Sequence, residues 1–350
     1  MSHLFSHIIS KQNMDRAYQK CLLGKTKYKR DALLFDRNAT ANINALIERL
    51  WSGAYQIGYY LEFYVYEPKK RLIYASSFTD KLVQTAVYNV LNEIYKKVFI
   101  YDSYACIDDK GTHKASERVQ HFLRKSKWQY GPDAYIVKLD IRKYFYSIDR
   151  GVLKGLLRKH IDCVQTLQLV DKIIDTAPGE KGLPLGNITS HLLANVYLNE
   201  LDQYCKRSLG IKYYVRYMDD VCMIAPDKRR ATELLEKATT LLNNRLRLQT
   251  NPEKTVLFPL SQGVNMVGFK THPTHKILRN SSKKNIKRKT GKMPYLITRG
   301  AMTEQKAEQI LNSWNGHARH GNSRNFIASL LQRNPFLFYS DKFTLNTHAI

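Results

Sequence analysis

The stretch YYVRYMDDVCMI, Tyr213–Ile224, sets two adjacent carboxylates, Asp219 and Asp220, between two runs of apolar, aromatic and β-branched residues. Its flanks, KYYVRYM and VCMIA, read as the strands of a tight antiparallel hairpin with the acids at or near the turn. Neighbouring like charges at such a place cost folding energy unless cations meet them. Upstream, YIVKLDI, Tyr135–Ile141, has the pattern of a short buried strand and carries a third acid, Asp140, near its C-terminal end. Three carboxylates drawn together suit Mg²⁺, and two such ions about 3.5 to 4 Å apart stabilise the attacking and leaving oxygens of phosphoryl transfer. On this reading Asp140 and Asp219 bridge both ions and Asp220 completes the site. The bland alternative is a pair of acids decorating an exposed turn, since an aromatic-x-Asp-Asp string arises by chance in roughly one chain of this size in twenty.

Composition narrows the partners. The 350 residues carry 56 Lys and Arg against 30 acids, a net charge of +26, which is the footprint of a protein that meets many phosphates. No apolar run reaches membrane-spanning length, and the N-terminus lacks the order of a signal peptide, so the chain reads as cytosolic with no membrane partner. Five scattered cysteines without CxxC spacing suggest neither a disulfide framework nor a zinc site. Between Glu253 and Glu304 there is no acid, while Lys283, Lys284, Lys287, Arg288 and Lys289 crowd one segment that should touch nucleic acid. A solvated helix face or a disordered arm is the competing reading. The THPTHK stretch, Thr271–Lys276, marks a boundary before this basic region.

Helical spacing covers Asp227–Leu246, Asp80–Phe99 and the SERVQHFLRK region. Strands interleaved with helices in this order predict an α+β fold, helices layered on a small antiparallel sheet.

YMDD at Tyr217–Asp220 resembles the metal-binding hairpin of reverse transcriptases, and KLDIRKYFYSI, Lys138–Ile148, resembles their preceding acid strand. GLPLGNITSHLLANVYLNELD, Gly182–Asp202, is similar to the family's template- and nucleotide-contacting turn and helix. NPEKT, Asn251–Thr255, and VNMVGF, Val264–Phe269, follow as the lysine motif and primer-grip hairpin do. KKRLIYASSFTDKLVQTAV and YDSYACIDDKGTHKA look like finger motifs. The resemblance implies a right-hand polymerase fold: 1–134 N-terminal segment and fingers, 135–157 first part of the palm, 158–200 fingers and palm helices, 201–270 palm, 271–350 a basic helical thumb. It implies an RNA-directed DNA polymerase that uses Mg²⁺, or Mn²⁺, and dNTPs on a template RNA, holding the RNA–DNA hybrid. Asp140, Asp219, Asp220 and Lys254 would be catalytic, with Lys254 protonating the pyrophosphate or stabilising its charge. Asp140, Ile141, Asp219 and Asp220 would hold the metal, Ile141 having only its carbonyl to offer. Lys69, Arg71, Lys81, Ile141, Phe145, Leu185 and Gly186 would bind the nucleotide, Phe145 by blocking a ribose 2′-OH. Taken singly, these cations are as well read as surface charges and Phe145 as packing.

Many reverse transcriptases have Gln where this chain has Leu185. An apolar residue there, with GTHKA at Gly111–Ala115 and GHARHGN at Gly316–Asn322, resembles the enzymes of diversity-generating retroelements, which copy RNA with errors at adenines and often work with a small basic accessory protein. Ser190-His191 departs from that group's usual Ser-Gln, which keeps open a defence-associated or group II intron-like enzyme. About 80 residues follow the primer-grip motif, enough for a thumb. His113, His191, His272, His275, His317 and His320 show no consistent metal-ligand spacing. A non-catalytic RNA-binding protein, or a basic RNA chaperone, is the competing class.

Overall fold

The structure is a computed structural model that describes residues 3–66 and 69–334. Helices α1 to α4 span Leu4–Ile9, Lys11–Cys21, Arg30–Asp36 and Ala39–Trp51. Strands β1, Leu61–Val65, and β2, Arg71–Ala75, pair antiparallel with Leu61 opposite Ala75. Then come α5, Phe78–Lys96, α6, Thr112–Tyr130, and β3, Tyr135–Asp140. Helices α7, Tyr144–Ser147, α8, Arg150–Leu157, α9, Val164–Asp175, and α10, Ile188–Gln203, precede the hairpin of β4, Tyr214–Tyr217, and β5, Asp220–Ala225. After α11, Lys228–Asn244, follow β6, Val256–Pro259, β7, Val264–Met266, β8, Phe269–Thr271, and β9, Lys276–Leu278. The described chain closes with α12, Asn280–Thr298, α13, Glu304–Ala318, and α14, Arg324–Gln332.

Strands β4, β5, β3 and β6 lie in that order in one four-stranded sheet, and β7, β8 and β9 form a second, antiparallel one. The strand and hairpin expected around the three acids are therefore present. Two compact units emerge. The first draws on the described residues of Met1–Gly111, Val137–Met223 and Thr232–Val256, and the second on those of Thr112–Ile136, Ile224–Ala231 and Leu257–Ile350. The Thr271–Lys276 stretch, read from sequence as a boundary, joins β8 to β9, where the His272 N–H donates to the His275 carbonyl at 2.7 Å.

In the first unit α5 and α10 pack on each other, and α2 packs on α5. Ser77 caps α5 by accepting the Asp80 N–H, an arrangement its hydroxyl favours. The α10 sequence ITSHLLANVYLNELDQ mixes apolar and polar residues and is buried along most of its length, Thr189, Ser190, Asn195, Asn199 and Asp202 included. In the second unit the core gathers Phe269, Leu278, Ile286, Met293, Leu311 and Leu330. Cys21, Cys163, Cys205 and Cys222 are buried, Cys106 is exposed, and none forms a disulfide. Among the described residues no helix is long and apolar enough to cross a membrane.

The loop before α10 is stitched to α7. The Gly182 N–H donates to the Ile148 carbonyl and the Leu183 N–H to the Phe145 carbonyl, both at 2.8 Å. Gly182 sits at φ +90, and a Cβ there would stand 2.9 Å from the Phe145 carbonyl oxygen and the Tyr146 Cα. Both the backbone angle and the space demand glycine. Gly182→Ala is expected to destabilise the chain by about 1–3 kcal/mol, read as a lowered thermal unfolding midpoint.

Candidate active site

Tyr217 pairs with Asp220, so the β4–β5 turn consists of Met218 and Asp219 alone. Asp219 stands in the turn, and Asp220 is the first residue of β5. Met218 adopts φ +53, an uncommon conformation for a residue with a side chain. Arg216 supports it, donating from Nη1 to the Met218 carbonyl at 3.2 Å. The Arg216 guanidinium is fully buried and forks onto Asp202 of α10 through Nε and Nη2, each at 2.7 Å, while Nη1 also reaches Asn195 Oδ1 at 3.1 Å. Tyr214 donates its hydroxyl to the same Asp202 at 2.6 Å. Burial works against the arginine's charge, but Asp202 outweighs it and raises its pKa. The Arg216 backbone is held too, its N–H to the Asp102 carbonyl at 2.9 Å and its carbonyl by the Tyr104 N–H at 3.0 Å.

Asp140, the last residue of β3, receives the Lys254 ammonium on both carboxylate oxygens at 3.0 Å. The NPEKT segment folds around it: the Asn251 N–H donates to the Asp140 carbonyl at 2.8 Å, and Thr255 Oγ1 accepts from the Asp140 N–H at 3.3 Å. Ile141 is buried and bridges to Thr250. Burial raises the Asp219 pKa, and the charge of Asp140 raises it further; its own backbone hydrogen bond, Lys254 and Lys138 pull it back. Asp220 forms an ion pair with Lys138.

Asp140 and Asp219 are thus within electrostatic reach of each other, with Lys254 beside both. Two carboxylates whose charges oppose one another fit a hard divalent cation, which relieves the repulsion. Asp220 departs from the expected trio because its carboxylate is engaged by Lys138. Among the described residues no three His, Cys, Asp or Glu side chains are grouped as a metal-holding cluster. Lys138 was missed in the sequence reading, although period-two alternation along β3 sets it on the same face as Asp140. Arg216 was missed as well; its signal was a lone cation in an otherwise apolar strand.

The candidate nucleotide residues distribute unevenly. Lys69 and Arg71 are exposed. Leu185 gives its carbonyl to the Tyr74 N–H at 2.8 Å, and Gly186, at φ +117, lies so close to β2 that a Cβ would stand 2.9 Å from Ile73 Cγ2. The Leu185 loop is therefore braced by the strand that Arg71 begins and by α7, which carries Phe145. Lys81 does not stand free: its ammonium donates to the Cys21 carbonyl at 3.3 Å and to Thr26 Oγ1 at 3.0 Å. A phosphate role for Lys81 would require breaking those bonds.

In the second unit the basic run forms α12 rather than a disordered arm. Ile286, Thr290 and Met293 face its core, while Lys284 and Arg288 are exposed. The ammoniums of Lys283 and Lys287 lie 5.6 and 5.4 Å from the Phe326 ring centroid, and Lys289 is partly buried.

Sequence comparison with a family model fits this geometry. The sequence profile described as "Reverse transcriptase (RNA-dependent DNA polymerase)" matches residues 67–271. The group II intron-encoded protein LtrA of Lactococcus lactis subsp. cremoris is 24% identical over 300 residues, covering 65% of this chain and 49% of its own. Protein YkfC of Escherichia coli K12 is 23% identical over 263 residues, covering 63% of this chain and 67% of its own. A solved telomerase from Candida albicans, in complex with a telomeric RNA fragment, superposes with a TM-score of 0.49 at 11% identity, covering 67% of this chain and 51% of that one. The chain spans about half the length of LtrA.

Two outcomes are expected from this arrangement. Arg216→Met leaves Asp202 as an uncompensated buried charge and should cost about 3–5 kcal/mol, whereas Arg216→Met with Asp202→Leu should recover much of it, measured by urea unfolding midpoints. If α12 holds nucleic-acid phosphates, replacing both Lys284 and Arg288 by Ala should flatten the log–log salt dependence of RNA binding by about 0.7–0.9 per lost contact.

Proposed function

Because this chain belongs to the reverse transcriptase family, we propose that it extends a 3′-OH with deoxynucleotides along an RNA template by metal-assisted phosphoryl transfer. The family's right-hand polymerase architecture, α+β, accounts for a small sheet that presents acids from β3 and from the β4–β5 turn. The observation that carries the proposal is the opposition of Asp140 and Asp219 beside Lys254.

Asp140 and Asp219 would hold Mg²⁺, with the Ile141 carbonyl as a further oxygen and Asp220 joining when Lys138 lets go. Ions held there would supply charge stabilisation to the attacking and leaving oxygens. Lys254 shares Asp140 and would give a departing pyrophosphate a proton or a counter-charge. Arg71 and Lys69, exposed at the start of β2, offer donors to a triphosphate, the arginine in bidentate fashion. Phe145 would lie against the sugar and disfavour a 2′-OH. Lys283, Lys284, Lys287, Arg288 and Lys289 would hold the RNA–DNA hybrid through its backbone.

The finer proposal is the error-prone enzyme of a diversity-generating retroelement, with a small basic accessory protein as partner. Leu185 supports it: an apolar side chain offers no hydrogen bond to a base pair, and sites lacking such bonds discriminate poorly. A second reading, a group II intron-like enzyme, is favoured by the similarity to LtrA.

Primer extension on a defined RNA, with sequenced products, tests both levels. Asp219→Asn is expected to lower incorporation by a factor on the order of 10³ while RNA binding persists; strong residual synthesis would sink the metal assignment. Errors should concentrate at template adenines and fall in Leu185→Gln. Faithful wild-type products would favour the group II intron-like reading.

A further inference from the structure

Helix α7 has four residues, Tyr144–Ser147, entered through Lys143 at φ +46. A single turn of helix has almost no stability of its own, so what surrounds it decides where Phe145 points. On its backbone side the Phe145 carbonyl accepts the Leu183 N–H. On its side-chain side α10 grips two neighbouring residues from positions three apart, which share one helix face. The Tyr144 hydroxyl donates to the Ala194 carbonyl at 2.5 Å. The Phe145 ring meets the His191 ring edge-to-face, with centroids 5.7 Å apart and planes at 75°.

His191 is itself firmly held. Its ring hydrogen-bonds to the Asn187 backbone, and burial lowers its pKa against the pull of that bond. Asn187 is buried and donates from Nδ2 to the Tyr60 hydroxyl at 3.1 Å; Tyr60 in turn contacts Thr176 at 3.1 Å and the Tyr74 ring. The imidazole is thus tied to the Asn187 backbone and meets the Phe145 ring in edge-to-face geometry. A glutamine in its place would be longer, freer and without a ring.

We propose that His191 is a positioning residue that fixes the Phe145 ring, and thereby sets how strictly the site rejects a ribonucleotide. The inference rests on the reading that Phe145 faces the nucleotide sugar. An edge-to-face pair of this kind corresponds to about a 3- to 10-fold effect on whatever the ring's position controls.

The test is single-nucleotide incorporation by the full chain on a primed RNA template, reading the ratio of kcat/KM for dCTP over rCTP. Phe145→Ala should lower the ratio most. His191→Gln should lower it by about 3- to 10-fold while kcat for dCTP stays near wild type, and His191→Phe, which keeps a ring, should stay near the wild-type ratio. In a Phe145→Ala background, His191→Gln should change nothing further, because the pair acts through one contact. A wild-type ratio in His191→Gln alongside a lowered one in Phe145→Ala overturns the role of His191 and leaves the sugar reading standing. An undiminished effect in the double variant overturns it too. A wild-type ratio in Phe145→Ala removes the sugar reading itself, and the proposal with it. Should His191→Gln fail to fold, His191→Leu fills the volume without an aromatic edge and reads the same ratio.

Discussion

The buried pair of Arg216 and Asp202 is the constraint on which the candidate site depends. Both side chains are fully shielded from water, so each is tolerable only in the presence of the other. The fork geometry that satisfies them leaves one arginine nitrogen to reach Asn195 and the Met218 carbonyl. The position of the turn bearing Asp219 thus follows from a contact made beneath it. Since Asp202 and Asn195 both belong to α10, that helix sets the depth of the hairpin. The same helix holds α7 through Ala194 and His191, and reaches the start of α8 through Tyr197, whose hydroxyl accepts the Asp149 N–H at 3.3 Å and donates to the Leu246 carbonyl at 2.6 Å. A helix with neighbours on every side has no room for a solvated face, so its polar residues Asn195 and Asp202 are buried and hydrogen-bonded to Arg216.

Electrostatics at the acids run against local stability. Burial and the charge of Asp140 both oppose ionisation of Asp219, and two lysines, Lys254 and Lys138, temper the repulsion. Lys254 pairs with Asp140 and Lys138 with Asp220, so both act on Asp219 through their charge. Arrangements that cost folding energy locally, while the surroundings are over-determined, are where function is to be sought. The second unit shows the complementary pattern. Its acid-free helix turns Ile286 and Met293 inward and leaves Lys284 and Arg288 exposed, so the charge excess costs little there.

Much of this was legible in the residues. The alternation in YIVKLDI and the paired runs around Asp219 and Asp220 specify strands because period two and tight turns are local properties. The helical spacing of α11 was equally readable, as was the order of motifs that identifies the family. Lys254, three residues beyond Asn251, was named from its motif and does meet Asp140.

What only the tertiary structure decided are pairings between residues distant in sequence. Sequence alone could not show that Lys138 takes Asp220, that Lys81 is bound to Cys21 and Thr26, or that His191 faces Phe145. A charged or aromatic side chain carries the same chemistry in every context, and its role is settled by which partner the packing brings within a few ångströms. Composition and periodicity determined that acids, bases and strands would be present in this order; the packing of elements distant in sequence determined which of them meet.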